Sequence, residues 1–336
     1  MKLLVSILIP AYNSEEWIAE TIQSAVAQTW ARKEIIIVDD SSRDRTAEVA
    51  RSFASQNVKV VSTQNQGSSA ARNFAFRLSQ GDYIQWLDHD DLLAPDKIER
   101  QLAALRRTDG ARTLLSCPRG YFYYSTKRAW FPVTPLWQDL SPVEWLLLKM
   151  GRNLPMQTST WLTSRELAEA AGPWNISMLT DDDGEYFCRV LMASEGTRFV
   201  PEARTFHRIL GEGQLSHVGK SDKKKEALLR SMKLHVQYLR SLEESERVRG
   251  ACLAYLQSWY GAFYPERPDL VAELQPLAAQ LGGQLEPPRL PWKYAWIKPV
   301  FGEKAARRAQ TTLPQIKVPW LRRWDKVLHR LEGPST

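Results

Sequence analysis

Asp88, Asp90 and Asp91 lie within four residues, in the stretch QWLDHDD that follows an apolar aromatic run. Carboxylates this close repel one another unless a positive charge compensates. A hard divalent cation such as Mg²⁺ or Mn²⁺ is held by one or two carboxylates plus substrate phosphates, and an Asp-x-Asp at a strand end has that form. The same residues can also serve as caps ahead of a helix. A second acidic pair, Asp39-Asp40, closes the run EIIIV and leads into Ser41-Ser42; a carboxylate there can accept a hydrogen bond from a base N–H or a ribose hydroxyl. In NQGSSAARNFA, Gly67 permits a sharp turn before a helix, and Arg72, one turn in, supplies a permanent cation. A third acidic run, Asp181-Asp182-Asp183, opens a segment with Tyr186, Phe187, Val190 and Leu191 at helical spacing.

The elements that must position these groups alternate. Val5 to Ile9, Glu34 to Val38, Val58 to Ser62 and Asp82 to Leu87 read as strands. Helices are expected from a capping box at Asn13-Ser14-Glu15-Glu16, over about Thr46 to Ser55, over about Ser69 to Ser79, and after Pro95. Such alternation predicts a mostly parallel sheet sandwiched by helices, with ligands at the carboxyl ends of the strands. The unusual residues fall at those ends: Pro10 to Asn13, Asp39-Asp40, Gln64 to Gly67 and Asp88 to Asp91. Farther on, Ser141-Pro142 starts another helix and Gln157 to Thr163 reads as a strand.

Three divisions follow: 1–110, which holds the alternating strands and helices, 111–210, which mixes short strands with helices, and 211–336, a helical, basic C-terminal region. The apolar N-terminal run is read as the first strand rather than a signal peptide, and no apolar run reaches the roughly 18 residues of a membrane span. Cys117, Cys188 and Cys252 are scattered, which suits buried thiols in a reducing compartment. The net charge of +7 is moderate, the expected cleft is acidic and no nucleic-acid module is evident, so nucleic acid is not the expected partner. Toward the C-terminus Trp320, Leu321, Trp324, Val327, Leu328 and Leu331 can share one face among basic residues; such a helix either docks on its own domain or lies in a membrane interface.

Taken together, Pro10-Ala11-Tyr12-Asn13, Val38-Asp39-Asp40-Ser41-Ser42, Gly67 with Ala71-Arg72-Asn73, Gly81-Asp82-Tyr83-Ile84 and Leu87-Asp88-His89-Asp90-Asp91 resemble the inverting family-two glycosyltransferases of GT-A fold. The resemblance covers residues 3 to 105 closely. It runs more loosely to Phe206, through Gly172-Pro173-Trp174, which looks like the family's acceptor loop, and the helix start at Asp182-Asp183-Gly184-Glu185. It implies a GT-A type α/β domain with a helical C-terminal extension, and metal-dependent transfer of a sugar from a nucleotide-diphosphate-sugar to a saccharide or lipid-linked saccharide in cell-surface glycoconjugate synthesis.

The resemblance further implies that Pro10, Ala11, Tyr12, Asn13, Asp39, Gly67, Arg72, Asp88 and His89 bind the nucleotide-sugar. Asp88 and Asp90 would hold Mn²⁺ or Mg²⁺, with His207 as a distal ligand, and Asp183 would be the catalytic base. The family often has Glu before that base where Asp182 stands here, so Asp182 is the alternative. The expected place is the cytoplasm or the inner face of the membrane. A sugar nucleotidyltransferase would need a Gly-rich basic loop after the first strand, which IPAYNSEEW does not contain. A non-catalytic nucleotide- or membrane-binding protein on the same scaffold is the remaining alternative.

Overall fold

Residues alternate in the first two strands so that two apolar faces form. Val5, Ile7, Ile9, Ile35 and Ile37 enter one buried cluster, whereas Leu8, Ile36 and Val38 enter another. Both faces are therefore covered. In the computed structural model, which describes residues 3–105, 110–210, 221–288, 292–302 and 317–332, β1 (Val5–Ala11), β2 (Lys33–Asp39), β3 (Val58–Ser62), β4 (Tyr83–Trp86) and β8 (Thr163–Ser164) form one sheet in the order β3-β2-β1-β4-β8. The first four run parallel and β8 is antiparallel to β4.

Helices α1 (Ile18–Val26), α2 (Thr46–Arg51) and α3 (Ser68–Leu78) are the crossovers between these strands. The chain steps from β1 outward to β3 and returns to β4 on the other side of β1, so the switch of direction lies between β1 and β4. Ligands bind parallel sheets at such a point, beyond the carboxyl ends of the strands. β5 (Leu92–Leu93), β10 (Thr205–Arg208) and β7 (Arg119–Phe122) form a second sheet beside that edge, and β6 (Thr113–Ser116) pairs with β9 (Gly196–Phe199). Register sets Phe206 opposite Leu92, which brings His207 next to the end of the Asp88–Asp91 loop.

Two sequence expectations are corrected. The capping box at Asn13 does not form, because α1 starts at Ile18 without a side-chain cap. The Ser14 carbonyl receives Trp17 N and Ile18 N, while Ser14 N donates to Thr46 Oγ1 and Glu15 accepts from Arg45 N. These residues tie the first loop to the start of α2. The stretch Gln157 to Thr163 is a short 3₁₀ turn over Thr158–Thr160 followed by the two residues of β8. Its carbonyls are captured by buried side chains: Gln85 Nε2 reaches Ser159 O at 3.0 Å, Gln101 Nε2 reaches Thr160 O at 3.2 Å, and Lys97 Nζ reaches Trp161 O at 3.4 Å. Those bonds compete with a strand ladder.

Helix α5 (Pro142–Gly151) starts where expected, with Ser141 Oγ accepting from Glu144 N. α7 (Asp182–Ala193) packs Tyr186 and Phe187 against Trp86, Trp161 and Trp174. Beyond it, α8 (Asp222–Leu242), α9 (Glu246–Trp259) and α10 (Pro268–Gln280) add Leu228, Met232, Tyr255, Leu256 and Leu274 to the buried cluster that holds Leu8 and Trp86. Helices α8, α9 and α10 thus share a core with the sheet, and the boundary expected near 211 falls on residues outside the described ones. The three cysteines are free and buried.

Candidate active site

The three aspartates at the end of β4 are compensated unequally. Asp88 Oδ1 meets Arg72 Nη2 at 2.7 Å. Asp91, wholly buried, accepts from Gln157 Nε2 at 2.9 Å, Ser159 Oγ at 3.2 Å and Arg208 N at 3.1 Å, and faces His207 Nδ1 at 3.0 Å. Burial alone would raise the carboxyl of Asp91 and lower the imidazole of His207, but their mutual attraction outweighs it and shifts each the other way. Asp90 has neither kind of partner, since no described residue donates to its carboxylate. Burial, with the charges of Asp91 and Asp88 adding to it, pushes that carboxyl up to about 6.

That imbalance fits a cation at Asp90. His207 Nδ1 lies 3.0 Å from Asp91 Oδ1 and 3.1 Å from Gln157 Nε2; a carboxylate beside one ring nitrogen is the arrangement that orients the other in a metal-binding histidine. No three His, Cys, Asp or Glu side chains among the described residues converge as a complete ligand set. A hard cation here would therefore draw its remaining oxygens from phosphate and water, which is the usual coordination of Mg²⁺ and Mn²⁺ at diphosphates.

Arg72 is the connector of the site. Its guanidinium, 5% exposed, binds Asp88 through Nη2 and Asp182 Oδ2 through Nη1, each at 2.7 Å, and lies 4.3 Å from the Trp174 ring centre. Trp174 is itself buried, held by Asn73 through both its backbone N and O at 2.8 Å. The tryptophan of the expected acceptor loop is therefore a lid over Arg72 and does not face the cleft. Asp182 also accepts from Ser68 Oγ at 2.9 Å and Ser69 Oγ at 3.3 Å, which ties the N-terminal turn of α3 to that of α7.

Asp183 differs from its neighbour. One carboxylate oxygen accepts from Gly184 N at 2.9 Å, and burial followed by the charges of Asp182, Asp181 and Asp88 lifts the group to about 8. Asp181 precedes it in a left-handed conformation, φ 55°, and accepts from Ser231 Oγ of α8. A Cβ at Gly184 would stand 2.2 Å from Asp181 Oδ1, so only glycine lets that carboxylate fold back over the first turn.

The donor-side loops meet at the same edge. Asp40 N donates to Ala11 O, and the Asp40 carboxylate receives Gln66 N at 3.0 Å and Gly67 N at 2.8 Å, pinning the third loop to the second. Gly67 takes φ 91° there. Asp39 Oδ1 accepts only from Ser42 N at 3.3 Å among the described residues. Asn13, at φ 47°, accepts from Arg43 N at 2.8 Å and donates to Ser42 Oγ at 3.0 Å. Pro10 and Ala11 are buried in β1, whereas the Tyr12 ring is exposed at the mouth. His89 contributes its carbonyl to Thr21 Oγ1 at 2.9 Å.

Sequence reasoning had no role for Gln157, Arg208, Asp181 or Ser231. Arg208 is fully buried with its guanidinium 4.4 Å from both the Trp17 and Phe122 ring centres, and its Nε donates to Asp90 O at 3.0 Å. It braces the acidic loop from behind. An arginine next to a histidine at a strand end is the one available signal, and it does not reveal the rings that enclose it.

Comparison with known proteins agrees with this geometry. Residues 6–160 match the family model for glycosyl transferase family 2. The chain is 40% identical over 114 residues to an uncharacterized glycosyltransferase of Rickettsia typhi, spanning 34% of this chain and 36% of that one. Over 107 residues it is 34% identical to the Escherichia coli UDP-Glc:alpha-D-GlcNAc-diphosphoundecaprenol beta-1,3-glucosyltransferase WfgD, covering 32% of this chain and 42% of the relative. The chain thus spans well under half the length of these relatives. The S. aureus TarS 1-349 structure with UDP superposes with a TM-score of 0.63 at 15% identity, over 81% of this chain and 78% of that one. The mannosyltransferase PcManGT from Pyrobaculum calidifontis, in complex with GDP-Man and Mn²⁺, superposes at 0.52 with 17% identity, over 97% and 88%. Residues 6–160 are thus similar to glycosyl transferase family 2, and the chain is built on a GT-A fold.

Proposed function

We propose that the protein is a cation-dependent, inverting glycosyltransferase that moves a sugar from a nucleoside-diphosphate sugar to a hydroxyl of a saccharide or lipid-linked saccharide. The observation that carries the reading is the bridge through Arg72, which ties the Asp88 loop to the helix start that bears Asp183. Asp88, read here as donor-side, and Asp182, beside the acceptor-side base, are thereby held by one guanidinium.

In this reading Asp39 receives a base N–H, the Tyr12 ring covers the base or ribose, and Asp88 turns its second oxygen to the ribose or to the cation. Asp90 and His207 hold the cation. When bound, Mn²⁺ or Mg²⁺ supplies charge that stabilises the departing diphosphate. Asp183 in its ionised form, whose share grows as pH rises toward about 8, takes the proton of the acceptor hydroxyl as that oxygen bonds to the anomeric carbon, and the bond from that carbon to the diphosphate oxygen breaks on the opposite face. An α-linked donor then yields a β-linked product. Asp182 is a poor choice for the base, because Arg72, Ser68 and Ser69 already occupy its Oδ2 and lower its affinity for a proton.

Thermal unfolding with UDP or GDP, each with Mn²⁺ or with chelator, tests the donor half. A ligand at a hundred times its Kd adds about 2.7 kcal/mol. Stabilisation by one nucleotide in the presence of metal alone is expected, and no shift with either nucleotide would remove the donor reading.

A further inference from the structure

The helix α12 (Lys317–Glu332) is docked the wrong way round for an ordinary amphipathic helix. Its inward side is charged. Asp325, 7% exposed, accepts from the backbone N–H of Tyr124 at 2.8 Å and of Ser125 at 3.2 Å and pairs with Arg128 at 2.5 Å. Arg322 donates to Leu210 O, and Lys326 lies 3.6 Å from Glu16 with its ammonium 5.2 Å from the Tyr124 ring centre. The apolar residues point outward: Trp324, Val327 and Leu331, spaced three and four apart, are 67%, 49% and 78% exposed. Earlier in the chain, the stretch 292–302 buries Tyr294 and Ile297 but likewise exposes Trp292, Val300 and Phe301. The helix is fastened to its own domain through ion pairs, and its apolar stripe is left for something else.

Charge identifies that partner. From Trp292 onward ten Lys and Arg oppose three Asp and Glu, which equals the whole net charge of +7, so the rest of the chain is balanced. Arg323 is exposed beside the outward residues Trp324 and Val327, and an aromatic and aliphatic face in so basic a segment suits the headgroup boundary of an anionic bilayer. A nucleic acid would use the cations and leave Trp324, Val327 and Leu331 in water. We infer that the outer face of α12 is a docking surface for an anionic lipid bilayer.

The attachment points set this surface beside the donor loops. Lys326 pairs with Glu16 in the loop that also holds Tyr12 and Asn13, and the Trp17 and Tyr124 ring centres are 5.5 Å apart. A bilayer against α12 therefore flanks the mouth of the cleft, where a lipid-linked acceptor would arrive. The inference itself does not depend on sugar transfer.

The test is co-sedimentation of the full chain with vesicles of phosphatidylcholine alone and of phosphatidylcholine with phosphatidylglycerol. The native chain is expected to sediment with the anionic vesicles and to be released by high salt, which screens the attraction. The double variant W324E and L331E, with an unchanged unfolding midpoint, should bind them about tenfold more weakly. Absence of binding by the native chain, or equal binding by the variant, overturns the inference. So does a native chain that elutes as a dimer, or is retained by duplex DNA, without binding vesicles.

Discussion

Arg72 and Asp182 meet at 2.7 Å although 110 residues separate them, and this pair joins the helix after β3 to the helix that carries Asp183. Removing the buried Arg72 guanidinium would leave Asp182 and Asp88 as partly buried, mutually repelling carboxylates. Breaking a buried pair from one side costs about 3–5 kcal/mol. Arg72→Met is accordingly expected to lower the denaturant midpoint by an amount in that range, with Arg72→Lys recovering only part of it, because an ammonium cannot span both carboxylates as a planar fork does. An Arg72→Met chain as stable as the native one would show that the bridge carries little.

The titration of Asp183 gives a signed pH effect. Its carboxyl is raised to about 8 from an ordinary value near 3.8. Between those values the folded chain keeps a proton that the unfolded chain has released, so stability falls as pH rises through the window. Asp183→Asn cannot ionise. In the absence of nucleotide it should flatten that slope and be at least as stable as the native chain at about pH 8, while turnover drops at least about a hundredfold. Native turnover by the variant would remove Asp183 as the base, and an unchanged slope would mean that the carboxyl titrates normally.

Ser231 tests whether the C-terminal helices position the catalytic turn. Its hydroxyl donates to Asp181, which holds a left-handed turn immediately before Asp182 and Asp183. Ser231→Ala should lower kcat about tenfold through misplacement of Asp183, with the affinity for the nucleotide unchanged. A change confined to nucleotide affinity would contradict this role.

Asp40 is expected to govern the donor side instead. Its carboxylate holds Gln66 N and Gly67 N, and charge-assisted bonds of this kind contribute about 1.5–3 kcal/mol each. Asp40→Ala should weaken nucleotide binding about tenfold or more while leaving kcat at saturating donor little altered. Calorimetric titration with the nucleotide that stabilises the native chain distinguishes this from a general loss of fold.

Local pattern was enough for much of this molecule. Alternating apolar residues in β1 and β2 dictate a two-sided sheet, and a parallel sheet sends its loops to one edge, so Asp39, Gly67 and Asp88 were bound to converge. The acidic start of α7 was legible from helical spacing alone. Pairing across the sheet was not. Nothing in QWLDHDD distinguishes Asp88, which finds Arg72, from Asp91, which finds His207, or from Asp90, which finds neither, because each partner arrives from a different element after the chain has folded. The same holds for Gln157 to Thr163, where buried Gln85, Gln101 and Lys97 take the carbonyls that a strand would have used. It holds again for α12, whose apolar stripe is plain in the sequence while the side that docks was decided by Asp325 reaching the backbone of Tyr124 and Ser125. Short-range periodicity specifies which elements form; which charges are neutralised within the protein, and which are left for a cation, depends on contacts between residues far apart in the chain.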